Sequence, residues 1–147
     1  MKIRRADLGD VGGLVAMGVA LCEESPVFSR YKPDYMKQYR VFAHMVLSDA
    51  YLVLVADDMT AMLVAHVEQL LWFQDRVVCD DMVFVKKEFR GTSRAVRLMR
   101  ELLRWSSEQG VKEVRVGIST GIDVGSSIGF YEKLGFQTSG ALLRKVV

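Results

Sequence analysis

The chain has 147 residues, 50% of them hydrophobic and 26% charged, with 20 basic against 18 acidic side chains and a formal charge of +2. That length and apolar content suit one domain, 1–147, with a substantial core, and the mixed, balanced charge lacks the basic excess of a protein whose main partner is nucleic acid. The N-terminus carries no signal-peptide pattern and no apolar run is long enough to span a bilayer, so the expected setting is the cytoplasm, without a membrane partner.

In chain order, Lys2 to Arg5 reads as a short strand, after which Asp7 is placed to cap a helix with apolar positions Leu8, Val11, Leu14, Val15 and Val19. A break marked by Ser25, Pro26 and Pro33 follows. Tyr35, Met36, Tyr39, Phe42, Met45, Val46 and Leu47 then recur at helical spacing. Three apolar runs, Tyr51 to Ala56, Ala61 to Leu71 and Val77 to Val85, are separated by Asp57-Asp58 and Gln74-Asp75 and predict an antiparallel meander. From Thr92 to Gln109 one apolar face, Ala95, Val96, Leu98, Met99, Leu102, Leu103 and Trp105, predicts a long helix ended by Gly110. Val111, Val114 and Val116 alternate with charged residues as a strand. Asp123 is placed to cap a helix through Leu134, and a last strand is expected near Ala141 to Val146. This order predicts an α/β fold: a mixed, mostly antiparallel sheet with helices on both faces and one parallel pair where the long helix crosses over.

Cys22 and Cys79 read as buried free thiols, and His44 and His66 stand apart from any metal-ligand spacing, so no metal site is expected. The most informative stretch is Val83 to Ala95, a strand running through the charged loop Lys86-Lys87-Glu88-Phe89-Arg90 into a helix start of small residues. Unpaired amides there, with small side chains at Gly91, Ser93 and Ala95 and added charge from Arg90 and Arg94, make a pyrophosphate cradle. A strand–Arg–Gly–helix turn with a solvated arginine is commonplace, and taken alone it carries little.

The segment Arg90-Gly91-Thr92-Ser93-Arg94-Ala95 resembles the acetyl-CoA-binding motif of GNAT acetyltransferases, Arg/Gln-x-x-Gly-x-Gly/Ala at a helix start, with Ser93 in place of the middle glycine. The segment Ser127-Ile128-Gly129-Phe130-Tyr131-Glu132-Lys133-Leu134-Gly135-Phe136 is similar to that family's Ala/Ser-x-x-Phe-Tyr-x-x-Leu-Gly-Phe. Where relatives commonly carry Asn seven residues before the tyrosine, this chain has Val124. The resemblance implies an N-acetyltransferase that uses acetyl-CoA as co-substrate, with a parallel strand pair splayed at the acetyl-CoA site. It implies cofactor contacts from Arg90, Gly91, Thr92, Ser93, Arg94, Ala95, Ser127 and Phe130, and from backbone groups of Val83 and Val85. Tyr131 corresponds to the tyrosine that protonates the departing thiolate; otherwise it is a core-edge aromatic. Several relatives carry a carboxylate near Asp80 and Asp81. Asp81 is favoured as the base for the acceptor ammonium because it shares strand parity with Val83 and Val85; the plainer reading is a charged strand start.

The acceptor pocket of relatives lies by the first two helices, which here contribute Glu23, Glu24, Phe28, Tyr31, Tyr35 and Tyr39, suited to a cationic small-molecule or peptide amine; equally, Tyr35 and Tyr39 describe a helix face packed on the sheet. A homodimer is among the assemblies the resemblance allows, with Ala141 to Val147 as the pairing strand. The alternative from another class is a non-catalytic acyl-CoA-binding or interaction module on the same fold, which the Ser93 and Val124 departures suggest.

Overall fold

The computed structural model describes residues 1–147. Strands β1 (Ile3–Arg5), β2 (Tyr51–Ala56), β3 (Ala61–Gln69), β4 (Arg76–Val85) and β5 (Val114–Arg115) form one sheet in the order β1-β2-β3-β4-β5. The first three pairings are antiparallel and β4–β5 is parallel. Helices α1 (Val11–Glu24) and α2 (Tyr35–Leu47) cover one face, and α3 (Arg94–Glu108) and α4 (Val124–Lys133) cover the other. With both faces buried, β2 and β3 read as nearly unbroken apolar runs whose alternate residues serve different cores. Leu52, Leu54, Leu63 and Ala65 meet Leu98, Met99 and Leu102 of α3, while Val53, Val55, Met62 and Val64 meet Val11, Leu14 and Met17 of α1.

Several local expectations are corrected. Asp7 caps a single 3-10 turn, Leu8–Asp10, in a reciprocal box with Asp10, and α1 starts only after it. Asp123 does not cap α4 through its side chain; it adopts a left-handed backbone, φ 40°. Residues 141–146 form no strand: the segment has strand composition but no neighbour for its backbone groups, and Leu142 and Leu143 are exposed. On α2 only Phe42 is fully buried; Tyr35 and Tyr39 are 56% and 48% exposed, so they are not a face packed on the sheet.

A further departure matters for the site. The β3–β4 ladder shifts register between Val64 and Ala65: Val64 pairs with Met82 and Ala65 with Asp80, so Asp81 is the extra residue of a bulge. Strand parity therefore breaks at this point. Val78 and, beyond the bulge, Val83 and Val85 pack on the α3–α4 side, whereas Met82 and Phe84 join the α1–α2 core. Asp81 does not share the side of Val83 and Val85.

Candidate active site

The site begins where the parallel pair parts. β4 and β5 are in register only at Val78–Val114 and Cys79–Arg115, after which β4 continues to Val85 while the segment after β5 leaves as a loop toward α4. The Asp80 carboxylate crosses the opening and accepts the Gly117 N–H at 2.8 Å. Beyond it the β5-facing edge of β4 has no strand partner, which leaves backbone groups of the Val83–Val85 stretch, apart from the Val85 carbonyl that Arg90 Nε engages, available to an extended ligand.

At the end of that edge lies the start of α3. A helix start leaves up to four amides without an intrahelical acceptor. Here the N–H groups of Gly91, Thr92, Ser93, Arg94, Ala95 and Val96, six in a row, find no acceptor in the protein. The turn requires a glycine at position 91, whose φ is +76°, and the space beside its Cα is open. Ser93 sits at φ −71°, ψ −1°, an angle any residue adopts, so replacing the family glycine strains nothing.

The two arginines are not free cations over this cradle. Arg90 forms a fork with Glu24 at the end of α1, both contacts 2.6 Å, and its Nε donates to the Val85 carbonyl at 3.1 Å. This pairing holds the Glu24 carboxyl below its usual range. Arg94 donates to Thr60 at 2.6 Å and Asp58 at 2.7 Å in the β2–β3 turn and stacks on Phe89. The expectation that both add charge to the cradle is thereby corrected: their side chains fasten the α3 start to α1 and to the β2–β3 turn, and the unpaired amides are what remain to meet an anion. A charge reversal at Arg90 would disturb the fold as well as any ligand.

Across the opening, Tyr131 of α4 is buried between Phe130 and Phe136, with ring centroids 5.2 and 5.7 Å away. Its hydroxyl has no partner in the protein but is not sealed from solvent. Burial, and then the charge of Asp80, push the phenol up to about 12, so it holds its proton at neutral pH. Asp80 is pushed up to about 6, chiefly by burial, against the lowering effect of the Gly117 N–H; the neighbouring Asp81 adds to the rise.

The Asp80 shift makes a stability prediction. An acid whose native value lies above its unfolded value favours folding when protonated, and that contribution is lost as pH rises from about 4 through 6. Asp80→Asn keeps an acceptor for Gly117 and removes the ionisation. Its stability relative to the parent, from urea unfolding, is expected to grow from near zero at pH 4 to roughly 1–3 kcal/mol at pH 7.5. A difference that stays constant across this range would show that Asp80 does not titrate there.

The other side of β4 holds a cavity of about 280 Å³ between α1, α2 and the sheet, lined by Gly18, Cys22, Gln38, Phe42, Met82 and Asp81 among others. Asp81 thus faces the α1–α2 side of the sheet at the point where β4 and β5 part, whereas Asp80 spans the opening itself. Of the residues expected around an acceptor, Glu24 is committed to Arg90, and Tyr31, Tyr35 and Tyr39 stand exposed on the outside of this region.

The pattern of the acetyltransferase (GNAT) family matches residues 19–136. The chain belongs to the GNAT acetyltransferase family. No curated protein sequence matches it. Among solved structures, a protein described as a transcriptional regulator from Bacillus halodurans C-125 superposes with a TM-score of 0.80 at 19% identity, covering 99% of each chain. An aminoglycoside 6'-N-acetyltransferase from Acinetobacter haemolyticus gives 0.76 at 17% identity over 100% of this chain and 98% of its own. A second one, from Acinetobacter baumannii, gives 0.75 at 16% identity over 99% and 97%. At such identities the likeness establishes the GNAT fold.

Within that fold, the structure brings Gly91 to Ala95 together at one helix start, with Val83 and Val85 on the open edge beside it. Ser127 and Phe130 are half-buried on α4, and Val124, in the position where GNAT relatives commonly carry Asn, is exposed in its first turn. Sequence reasoning missed Ser25. It is fully buried, its hydroxyl donates to the Thr120 carbonyl in the loop before α4, and it accepts the N–H groups of Val27 and Phe28 at 3.2 and 3.0 Å. Glu24 and Ser25, adjacent at the end of α1, therefore hold the two walls of the GNAT cleft. The one available signal was a serine directly before Pro26, which reads as ordinary turn chemistry.

Proposed function

We propose that this chain is an acetyl-CoA-dependent N-acetyltransferase of the cytoplasm, moving acetyl directly to an amine without a metal or a covalent acyl-enzyme. The observation that carries the reading is the run of six unpartnered amides from Gly91 to Val96 at the end of the open β4 edge, with an unpartnered Tyr131 hydroxyl on α4 close enough to Asp80 to feel its charge. The amides of Gly91 to Ala95 receive the pyrophosphate and the backbone of Val83 and Val85 receives the pantetheine arm, while Ser127 and Phe130 form the α4 wall. The co-substrate supplies a thioester. Asp81 takes one ammonium proton and so frees the nitrogen lone pair, which forms the C–N bond at the thioester carbonyl; the C–S bond breaks as Tyr131 protonates the departing sulfur, and the second nitrogen proton restores the Tyr131 phenol and leaves a neutral amide.

Direct transfer is supported by the two thiols. Burial pushes Cys22 up, and burial together with Glu68 pushes Cys79 up to about 11, which leaves neither a ready nucleophile at neutral pH. The assignment of Asp81 is supported by its place on the cavity between α1 and α2 rather than by strand parity. Calorimetry with acetyl-CoA, followed by a mass-spectrometric panel of monoamines, polyamines, amino acids, peptides and aminoglycosides, tests the proposal. Binding with a mass gain of one acetyl group on an amine is the expected result. Binding without transfer to any amine would favour a non-catalytic acyl-CoA-binding module.

A further inference from the structure

Although nothing in the sequence spacing joins them, His66 of β3 and Asp81 of β4 meet through the bulge: His66 Nδ1 lies 2.8 Å from Asp81 Oδ2. We infer that His66 is a positioning residue for Asp81, donating its Nδ1–H to one carboxylate oxygen so that the other is held toward the cavity and free for the acceptor ammonium. This rests on the proposed acetyl transfer and adds a residue to it.

Three observations carry the inference. First, the bulge inserts Asp81 as a residue without a cross-strand partner, so the backbone ladder alone does not set where its carboxylate points. The contact to His66 is the hydrogen bond that side chain makes within the protein. Second, the imidazole is itself held. The Tyr51 ring lies 5.7 Å away by centroid, whereas Glu68 Oε2, 3.8 Å from Nε2, is beyond hydrogen-bond reach and is itself taken by the Cys79 thiol at 3.2 Å, so it does not compete with Asp81 for the ring proton. A carboxylate on Nδ1 selects the tautomer with hydrogen there and leaves Nε2 toward Glu68 and solvent. Third, the pair is only partly exposed, 26% for His66 and 32% for Asp81, and Asp81 lines the cavity. The charged or titratable groups around His66 are Asp81 and Cys79 on β4, Glu68 on β3 and Tyr51 on β2, with Asp80 acting at longer range and His44 of α2 on the far side of Tyr51. Together they do not form a metal-holding group.

In group-transfer terms one ammonium proton goes to the free Asp81 oxygen before the C–N bond forms, the thioester sulfur leaves with a proton from Tyr131, and the second nitrogen proton restores the Tyr131 phenol. His66 neither gains nor loses an atom; it fixes the receiving oxygen.

The test exploits side-chain shape. An asparagine amide places an N–H near the position of Nδ1, a glutamine amide places one nearer Nε2, and leucine fills the space without a donor. A hydrogen bond to a charged group is worth about 1.5–3 kcal/mol, which converts to about 10- to 100-fold. With an acceptor from the amine panel, His66→Leu and His66→Gln are expected to lose about that factor in kcat/KM for the amine, and His66→Asn to stay within about threefold of the parent. The KM for acetyl-CoA is expected to be unchanged in all three. Nitrogen-15 spectra of the imidazole, which need no turnover, are expected to show the Nδ1–H tautomer in the parent and its loss of preference in Asp81→Leu. The inference is overturned by an Nε2–H tautomer in the parent, by full activity in His66→Leu, or by an Asn variant as impaired as the Leu variant. A parent that acetylates no amine overturns the proposed function, and this inference with it; a parent that turns over while His66→Leu is unaffected overturns this inference alone.

Discussion

Tyr131→Phe is expected to lower the single-turnover rate of acetyl transfer by about 10²- to 10⁴-fold, the usual contribution of a positioned general acid, while leaving acetyl-CoA affinity nearly constant. The substitution removes one oxygen from a ring enclosed by Phe130 and Phe136, so the packing volume is preserved. Because burial holds the phenol at about 12, the parent carries the proton over the whole neutral range, and the defect is expected to be the same from pH 6 to pH 9. A desolvated leaving thiol is raised in the same way, which narrows the gap the proton must cross. Single-turnover measurement matters because slow product release would hide a chemical defect. A variant with parental rates would leave Tyr131 as a wall of the cleft.

Ser93→Asp is expected to separate folding from ligand binding. Ser93 is exposed at the N-cap of α3 and makes no capping bond, so a carboxylate there can accept the free Ala95 or Val96 N–H and faces the positive end of the helix. The interaction favours the folded state by about 0.3–1 kcal/mol, and Tm is expected to hold or rise. The same carboxylate occupies the place of the pyrophosphate and repels it, with no arginine side chain left over to compensate, since Arg90 and Arg94 are paired elsewhere. Calorimetry is expected to show CoA and acetyl-CoA weakened alike by about 10²-fold, equivalent to two charge-assisted hydrogen bonds of about 1.5 kcal/mol each. Unchanged affinity in a folded variant would remove the α3 start from the site.

Much of this was legible before any coordinates. The apolar runs of β2 and β3, the amphipathic α3, and the Phe130-Tyr131 signature each express one local rule, and one rule sufficed. Elsewhere a partner decided the outcome. Strand composition at 141–146 does not supply a neighbouring edge. Helical spacing in α2 marks Phe42 and Tyr39 alike, although only one of them meets the core. Period-two reasoning placed Asp81 beside Val83 and Val85 because a bulge inserts one residue without a mark in the sequence. The charge of Arg90 and Arg94 was plain, but their acceptors lie 66 and 36 residues away. His66 looked solitary for the same reason: its neighbours Cys79 and Asp81 arrive through hairpin register, which spacing along the chain does not reveal.

The adjacency of Glu24 and Ser25 bears on how acceptor preference could be re-engineered. One residue grips the loop that leads into α3 and the other grips the loop that leads into α4, both from the end of the same helix. The segment from Val27 to Leu47, which includes the outward-facing tyrosines and the α2 side of the cavity, follows immediately. A chimaera that imports this segment from a relative with a different amine has its natural upstream splice point after Pro26, whose ring rests against Gly121. A splice one turn earlier would exchange the residues that pin both loops together with the proposed acceptor segment, and donor and recipient would then have to agree on both.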